Sequence, residues 1–170
     1  MLDYIRDTGF PVILSSGMST IQELQKSYNY LKEKIEDISI LHCVSLYPCP
    51  HNQLNLKTIR FLKRNFPQTK IGFSDHSLGI VGSLAAISLG AEIIEKHFTL
   101  DQSNWGPDHK ISILPEELKT LIEMSNNKGL VEMIRSDLGF VKITPESFGV
   151  ETKFVNSEEM KYRTNFSKGL

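Results

Sequence analysis

The run Lys70-Ile71-Gly72-Phe73-Ser74-Asp75-His76-Ser77-Leu78-Gly79 and its counterpart Glu92-Ile93-Ile94-Glu95-Lys96-His97-Phe98 decide how this chain is read. Each is a short apolar stretch that ends in polar residues. Between them Ile80 to Leu89 is small and apolar on most sides, as a well-buried helix would be. Strand, crossover helix and strand make a parallel pair. The pattern repeats upstream. Ile38 to Ser45 is followed by a loop through Pro48 and Pro50 and a helix from about Asn55, with Leu56, Ile59, Leu62 and Phe66 on one face. Pro11 to Leu14 breaks at Ser15-Ser16-Gly17-Met18 into a helix whose stripe is Ile21, Leu24, Tyr28, Leu31 and Ile35, with Ser19 and Gln22 as its capping box.

Four strand-helix units at intervals of about 25 to 30 residues predict an α/β fold with a parallel sheet. The fourth helix starts near Pro115, with Glu116 and Glu117 at the positive end of its dipole. Beyond Asn126, Lys128 to Leu138 reads as one more helix ended by Gly139, and Val141 to Leu170 as a polar linker or tail. The expected division is 1–126 and 127–170. A closed barrel of βα units needs eight strands and about 250 residues, so four units make either a small open sheet or part of something larger.

The 170 residues suffice for one domain, and 40% hydrophobic, 23% charged and 9% aromatic residues are ordinary globular values. Nineteen Lys plus Arg against 20 acidic residues give a net charge of −1, which offers no electrostatic reason to expect nucleic acid or an anionic membrane as partner. With no bilayer-length apolar run and no signal pattern in Met1 to Phe10, a soluble, cytoplasmic protein is expected. Cys43 and Cys49 fit neither a redox pair nor a zinc framework and are expected to be reduced, Cys43 within a strand.

Parallel α/β folds bind their ligands where strands give way to helices. Side chains alternate along a strand, so parity tests which strand-end residues share a face. Ile13 with Ser15, Cys43 with Ser45 and Tyr47, Gly72 with Ser74 and His76, and Ile93 with Glu95 and His97 all do. His76 and His97, at the ends of neighbouring strands about 5 Å apart, are placed to share one divalent ion. Each is equally readable as a hydrogen-bonded residue at a strand end. Glu95 is an inward carboxylate on an apolar strand, either functional or paired with a lysine. Ser15, Ser45 and Ser74 suit phosphate or carboxylate oxygens, or else turn and cap chemistry. Asp108 suits a sugar hydroxyl or a turn, and Tyr47 a stacking wall or core. His42, on the opposite parity, reads as structural; His51 and His109 read as solvated loop residues.

Taken in order, Ser15-Ser16-Gly17-Met18-Ser19, Leu41-His42-Cys43-Val44-Ser45-Leu46-Tyr47-Pro48, the runs through His76 and His97 continued to Asp101, and Gly106-Pro107-Asp108-His109-Lys110 resemble the N-acetylneuraminate synthase family, over roughly Leu2 to Ile122. The resemblance implies the second half of a (β/α)8 TIM barrel, beginning at the family's fifth strand. It implies an enzyme condensing phosphoenolpyruvate with N-acetylmannosamine or a related 2-acetamido sugar to a nine-carbon 2-keto acid, with release of phosphate. On that resemblance His76 and His97 fall on the ligands of a manganese or magnesium ion and Glu95 on an active-site carboxylate. Ser15, Ser45 and Ser74 fall on phosphoenolpyruvate contacts, and Tyr47 and Asp108 on sugar contacts. Ser45 stands where many members carry asparagine. The family's first four strands, with a catalytic glutamate and phosphate-binding lysines, and its antifreeze-like domain have no counterpart here, and Lys161 to Leu170 resembles the linker before that domain. The expected behaviour is an inactive fragment that self-associates or pairs with a missing half, in a family that is homodimeric. A non-catalytic sugar- or metal-binding half-barrel complementing a second chain is the alternative, and an aldolase or isomerase on the same barrel a third.

Overall fold

In the computed structural model, which describes residues 1–136 and 145–166, four strands pair in chain order, all parallel: β1 Val12–Ser15, β2 Ile38–Cys43, β3 Lys70–Asp75 and β4 Ile94–Lys96. Helices α2 Ile21–Lys32, α3 Thr58–Asn65 and α4 Val81–Ser88 cross between them, and α5 Pro115–Asn126 follows β4. This is the curled half of a (β/α)8 barrel that the sequence implies. A short α1, Leu2–Thr8, precedes β1; α6 is Lys128–Ser136, α7 Pro145–Phe148 and α8 Ser157–Phe166. The position expected to end α6, Gly139, lies outside the described residues.

The register assigns the two faces. Ser15 pairs with Leu41, Leu41 with Gly72, Cys43 with Ser74 and Ser74 with Glu95, so these share the concave face that would line a barrel. Leu14 pairs with Ile40, Ile40 with Ile71 and Phe73 with Ile94, all on the convex face under the helices. The core sits there, with Ile40, Ile71, Phe73, Ile59, Leu62, Leu84, Ala85 and Ala86 buried together. Burying each large apolar side chain contributes about 1.5–3 kcal/mol. The small residues of α4 let that helix lie close to β3, and nearly all of it is buried, as its composition predicts. On the concave face Gly72 has the comparable role: a Cβ there would stand 2.5 Å from both the Ile93 carbonyl oxygen and Leu41 Cδ2.

Several boundaries differ from the sequence reading for definable reasons. The α2 cap is Thr20 with Glu23, not Ser19 with Gln22: Thr20 Oγ1 accepts the Glu23 N–H at 3.3 Å and Glu23 accepts the Thr20 N–H at 2.9 Å. A carboxylate at the positive helix end outcompetes the neutral amide one residue earlier. α3 starts at Thr58 because Asn55 adopts φ 48, a left-handed conformation no helix accepts. β4 is shorter than Glu92 to Phe98, because beyond Lys96 the chain pairs instead with Ile113, whose N–H donates to the His97 carbonyl at 2.9 Å.

The stretch read as a polar linker holds α7 and α8, and its described part packs back onto the half-barrel. Leu56 N–H donates to the Ser147 carbonyl at 3.1 Å, Lys57 N–H to the Phe148 carbonyl at 3.0 Å, and Phe148 is buried. Asn55 Oδ1 accepts the Val150 N–H at 2.8 Å, so the residue that delays α3 also anchors the returning chain. Among the described residues no helix is long and apolar enough to cross a membrane.

Candidate active site at the strand ends

The concave face carries its polar residues at one end. His76 follows β3 directly, and its Nδ1–H donates to the Val44 carbonyl at 2.8 Å. Burial, and secondarily the neighbouring His97, lowers the His76 pKa against the raising effect of the Val44 bond. A neutral ring with its proton on Nδ1 leaves the Nε2 lone pair free, the arrangement in which imidazole ligates metals. His97 follows β4, with its ring centroid 5.5 Å from that of His76 and the planes at 65°. Tyr47 closes the cluster from the β2 loop, 4.1 Å from the His76 ring and 5.7 Å from the His97 ring between centroids. That loop is held by the Cys49 N–H, which donates to the His76 carbonyl at 2.9 Å.

Ser74 Oγ donates to Glu95 Oε1 at 2.5 Å and lies 3.4 Å from His76 Nε2. With its hydroxyl proton on Glu95, Ser74 does not compete for the Nε2 lone pair. Asp108 stands at the start of a 3-10 turn, Asp108–Ile111, with Oδ2 3.9 Å from His97 Nδ1. The open cleft lined by Ser74, His76, Glu95, Lys96 and His97 measures about 250 Å³. A larger groove of about 420 Å³, lined by amide side chains with Tyr28, Phe66 and Pro67, lies before the start of β3, away from these groups.

The structure thus brings Tyr47, Ser74, His76, Glu95, His97 and Asp108 together. Ser45 stands at the rim, its Oγ 3.9 Å from Cys43 Sγ, while Ser15 is exposed at the open edge of the sheet. The His76 and His97 rings together fit a divalent ion whose other positions come from water or substrate; among the described residues no group of three or more His, Cys, Asp or Glu side chains is arranged to hold one.

The lysine pairing weighed for Glu95 belongs to another carboxylate. Glu95 is exposed on the concave face, and the buried ion pair joins Lys96 to Asp75 on the convex face at 3.0 Å, with side chains 4% and 0% exposed. Asp75 also accepts from Ser77 N–H at 2.8 Å, Ser77 Oγ at 2.6 Å and Ser83 Oγ at 2.6 Å. The network seals β3 to α4 directly behind His76. Its signal was legible: Asp75 and Lys96 fall on the parity opposite the site, and a charged pair under a helix must be compensated.

His42 is structural as expected, buried and stacked on Phe73, with Nε2–H donating to the Leu54 carbonyl at 2.7 Å. His51 and His109 are half-buried rather than solvated; His109 Nδ1 lies 2.7 Å from Thr99 Oγ1. Both cysteines are free and buried, Cys43 closing β2 as read. Also unforeseen was Glu159 of α8, buried to 1% exposure against the loops after β1 and β2.

A half-barrel of four βα units whose strand ends converge on paired histidines defines the class as part of a (β/α)8 barrel domain. The chain belongs to the NeuB family, the N-acetylneuraminate synthase family, which its residues 1–132 match. It is 39% identical over 167 residues to the N,N'-diacetyllegionaminic acid synthase of Campylobacter jejuni, an alignment covering 93% of this chain and 48% of that protein. Among solved structures it superposes on the spore coat polysaccharide biosynthesis protein SpsE of Bacillus subtilis with a TM-score of 0.79 at 31% identity, covering 95% of this chain and 45% of that one. The sialic acid synthetase of Leptospira borgpetersenii, solved with citrate, gives 0.69 at 34% identity over 99% of this chain and 53% of that one. The chain therefore spans about half the length of these relatives.

Proposed function

We propose that this chain contributes the metal- and sugar-facing half of a sugar-acid synthase active site, one that joins phosphoenolpyruvate to N-acetylmannosamine or a related 2-acetamido sugar and releases phosphate. The observation that carries the reading is the convergence of the His76 and His97 rings at 5.5 Å on the concave face. The names of the relatives, sialic and legionaminic acid synthases, support the product class.

Manganese or magnesium bound by His76 and His97 would supply Lewis-acid polarisation of the sugar's carbonyl. Ser15 and Ser45 donate to the oxygens of phosphoenolpyruvate, while Ser74 lines the same side with its single hydroxyl proton given to Glu95. Glu95, oriented by Ser74, exchanges the proton at the reacting sugar oxygen, Asp108 receives a sugar hydroxyl, and Tyr47 walls the sugar against His76. Four strands leave the concave face open, with Ile13 59% exposed at its β1 edge. This apolar surface supports pairing with a complementary half, or self-association, and binding without turnover by the chain alone.

The test is to co-express the chain with the first four βα units of a relative and assay phosphate release from phosphoenolpyruvate and N-acetylmannosamine. Release that disappears with His76→Ala or His97→Ala supports the synthase. If the assembled pair binds manganese and phosphoenolpyruvate yet releases no phosphate, the chain is a binding half-barrel instead.

A further inference from the structure

Glu159 lies in α8, outside the matched family region of residues 1–132, yet its carboxylate reaches the mouth of the sheet. Oε1 accepts the Ser45 N–H at 2.8 Å and stands 3.4 Å from the Met18 N–H. Those amides belong to two different loops, after β2 and after β1. Oε2 accepts the Asn156 N–H at 3.2 Å, and Asn156 Oδ1 accepts the Glu159 N–H at 2.8 Å, a reciprocal cap that fixes the carboxylate. A carboxylate that is 1% exposed needs such donors, and the nearby Lys153, itself only 6% exposed, adds compensating charge. The loops it bridges are in close contact: a Cβ on Gly17 would overlap Ser45 Oγ and stand 3.1 Å from Cys43 Sγ. The arm bearing Glu159 is anchored independently, by Phe148 in the core, by Thr58 Oγ1 donating to the Thr152 carbonyl at 2.8 Å and by the Arg163–Glu23 ion pair.

We propose that Glu159 is a positioning residue: its buried carboxylate clamps the loop after β1 to the loop after β2 and so fixes Ser45, and the Ser15 to Met18 turn, at the substrate-anion side of the site. This rests on the proposed function, in which that side receives phosphoenolpyruvate. The clamp acts only through the two backbone amides, so the requirement is for an acceptor oxygen at that point. Glutamine supplies one and alanine does not.

Backbone amide exchange and phosphoenolpyruvate titration, both followed by NMR on the full chain, test the proposal with Glu159→Ala and Glu159→Gln. The expected result is exchange at Ser45 and Met18 faster by about tenfold or more in Glu159→Ala, with the sheet amides of His42 in β2 and Phe73 in β3, the latter bonded to the Ile93 carbonyl, unchanged and partial rescue in Glu159→Gln. Binding of phosphoenolpyruvate should weaken in parallel, while manganese binding stays as in the unaltered chain. Unchanged exchange at Ser45 and Met18 overturns the clamp. Equal acceleration across the whole sheet overturns it too, by reducing Glu159 to a general stabiliser. Should the unaltered chain bind phosphoenolpyruvate and Glu159→Ala bind it equally well, the positioning role is wrong although the functional reading stands. If the unaltered chain binds none, the functional reading fails, and the positioning role fails with it.

Discussion

Asp75 and Lys96 are register partners on β3 and β4, and their ion pair at 3.0 Å lies on the sheet face opposite His76 and His97, each the next residue in its chain. The alternation of strand side chains makes this inevitable: the residue that precedes a mouth histidine must point under the helices. A charge pair there is sealed by Ser77 and Ser83, and it holds the two strand ends from which the imidazoles emerge.

Removing one member of that pair leaves an uncompensated buried charge. Asp75→Asn or Lys96→Met should each destabilise the chain by about 3–5 kcal/mol, and the double substitution by less than the sum of the two. Denaturant unfolding of the four proteins forms the cycle. Additive losses would show that the two charges are not coupled.

Manganese binding should depend on both imidazoles. His76→Ala and His97→Ala should each weaken it by at least about tenfold, since even groups behind a metal ligand are worth 10–100-fold. Electron paramagnetic resonance of titrated manganese measures this. Substitution of His51, which lies outside the cluster, should leave the binding curve unchanged.

Acid stability should carry the signature of His42. Its burial pushes the pKa down to about 4, against the Leu54 hydrogen bond, and Nδ1 has no acceptor should it be protonated. The unfolded chain takes up this proton near pH 6.5 and the folded chain only near 4. Stability contributed by the neutral ring is therefore complete above about 6.5 and falls as pH drops from there towards 4, by at most about 3 kcal/mol. Unfolding midpoints across this range should show a flatter acid limb in His42→Gln; an unaltered limb would assign the dependence to other groups.

Gly72→Ala should destabilise by about 1–3 kcal/mol, because the added carbon meets the Ile93 backbone and Leu41 Cδ2 at 2.5 Å. Thermal melts check the loss. Leu41→Ala in the same chain should recover part of it by vacating one of the two contacts. Recovery would place the clash at Leu41, and its absence would place it at the Ile93 carbonyl.

Local pattern alone carried the sequence a long way. Apolar runs of strand length separated by amphipathic stripes impose parallel pairing whatever the tertiary detail, and a period of two assigns Ser74, His76, Glu95 and His97 to one face before any coordinate is known. What only the tertiary structure decided depends on contacts between residues far apart in the chain. Asn55 abandons the helical conformation because Val150 offers its N–H from 95 residues away, so no local signal could place the start of α3. Glu95 and Asp75 are both carboxylates near the end of an apolar strand. Parity keeps Lys96 off the face of Glu95, but that it stands level with Asp75 is settled by register, a property of two paired strands and not of either. Glu159 belongs to a polar run whose composition reads as linker, and its burial follows only once the folded mouth presents two amides in need of an acceptor. Periodicity is written residue by residue, whereas the satisfaction of buried polar groups is a property of the assembled fold.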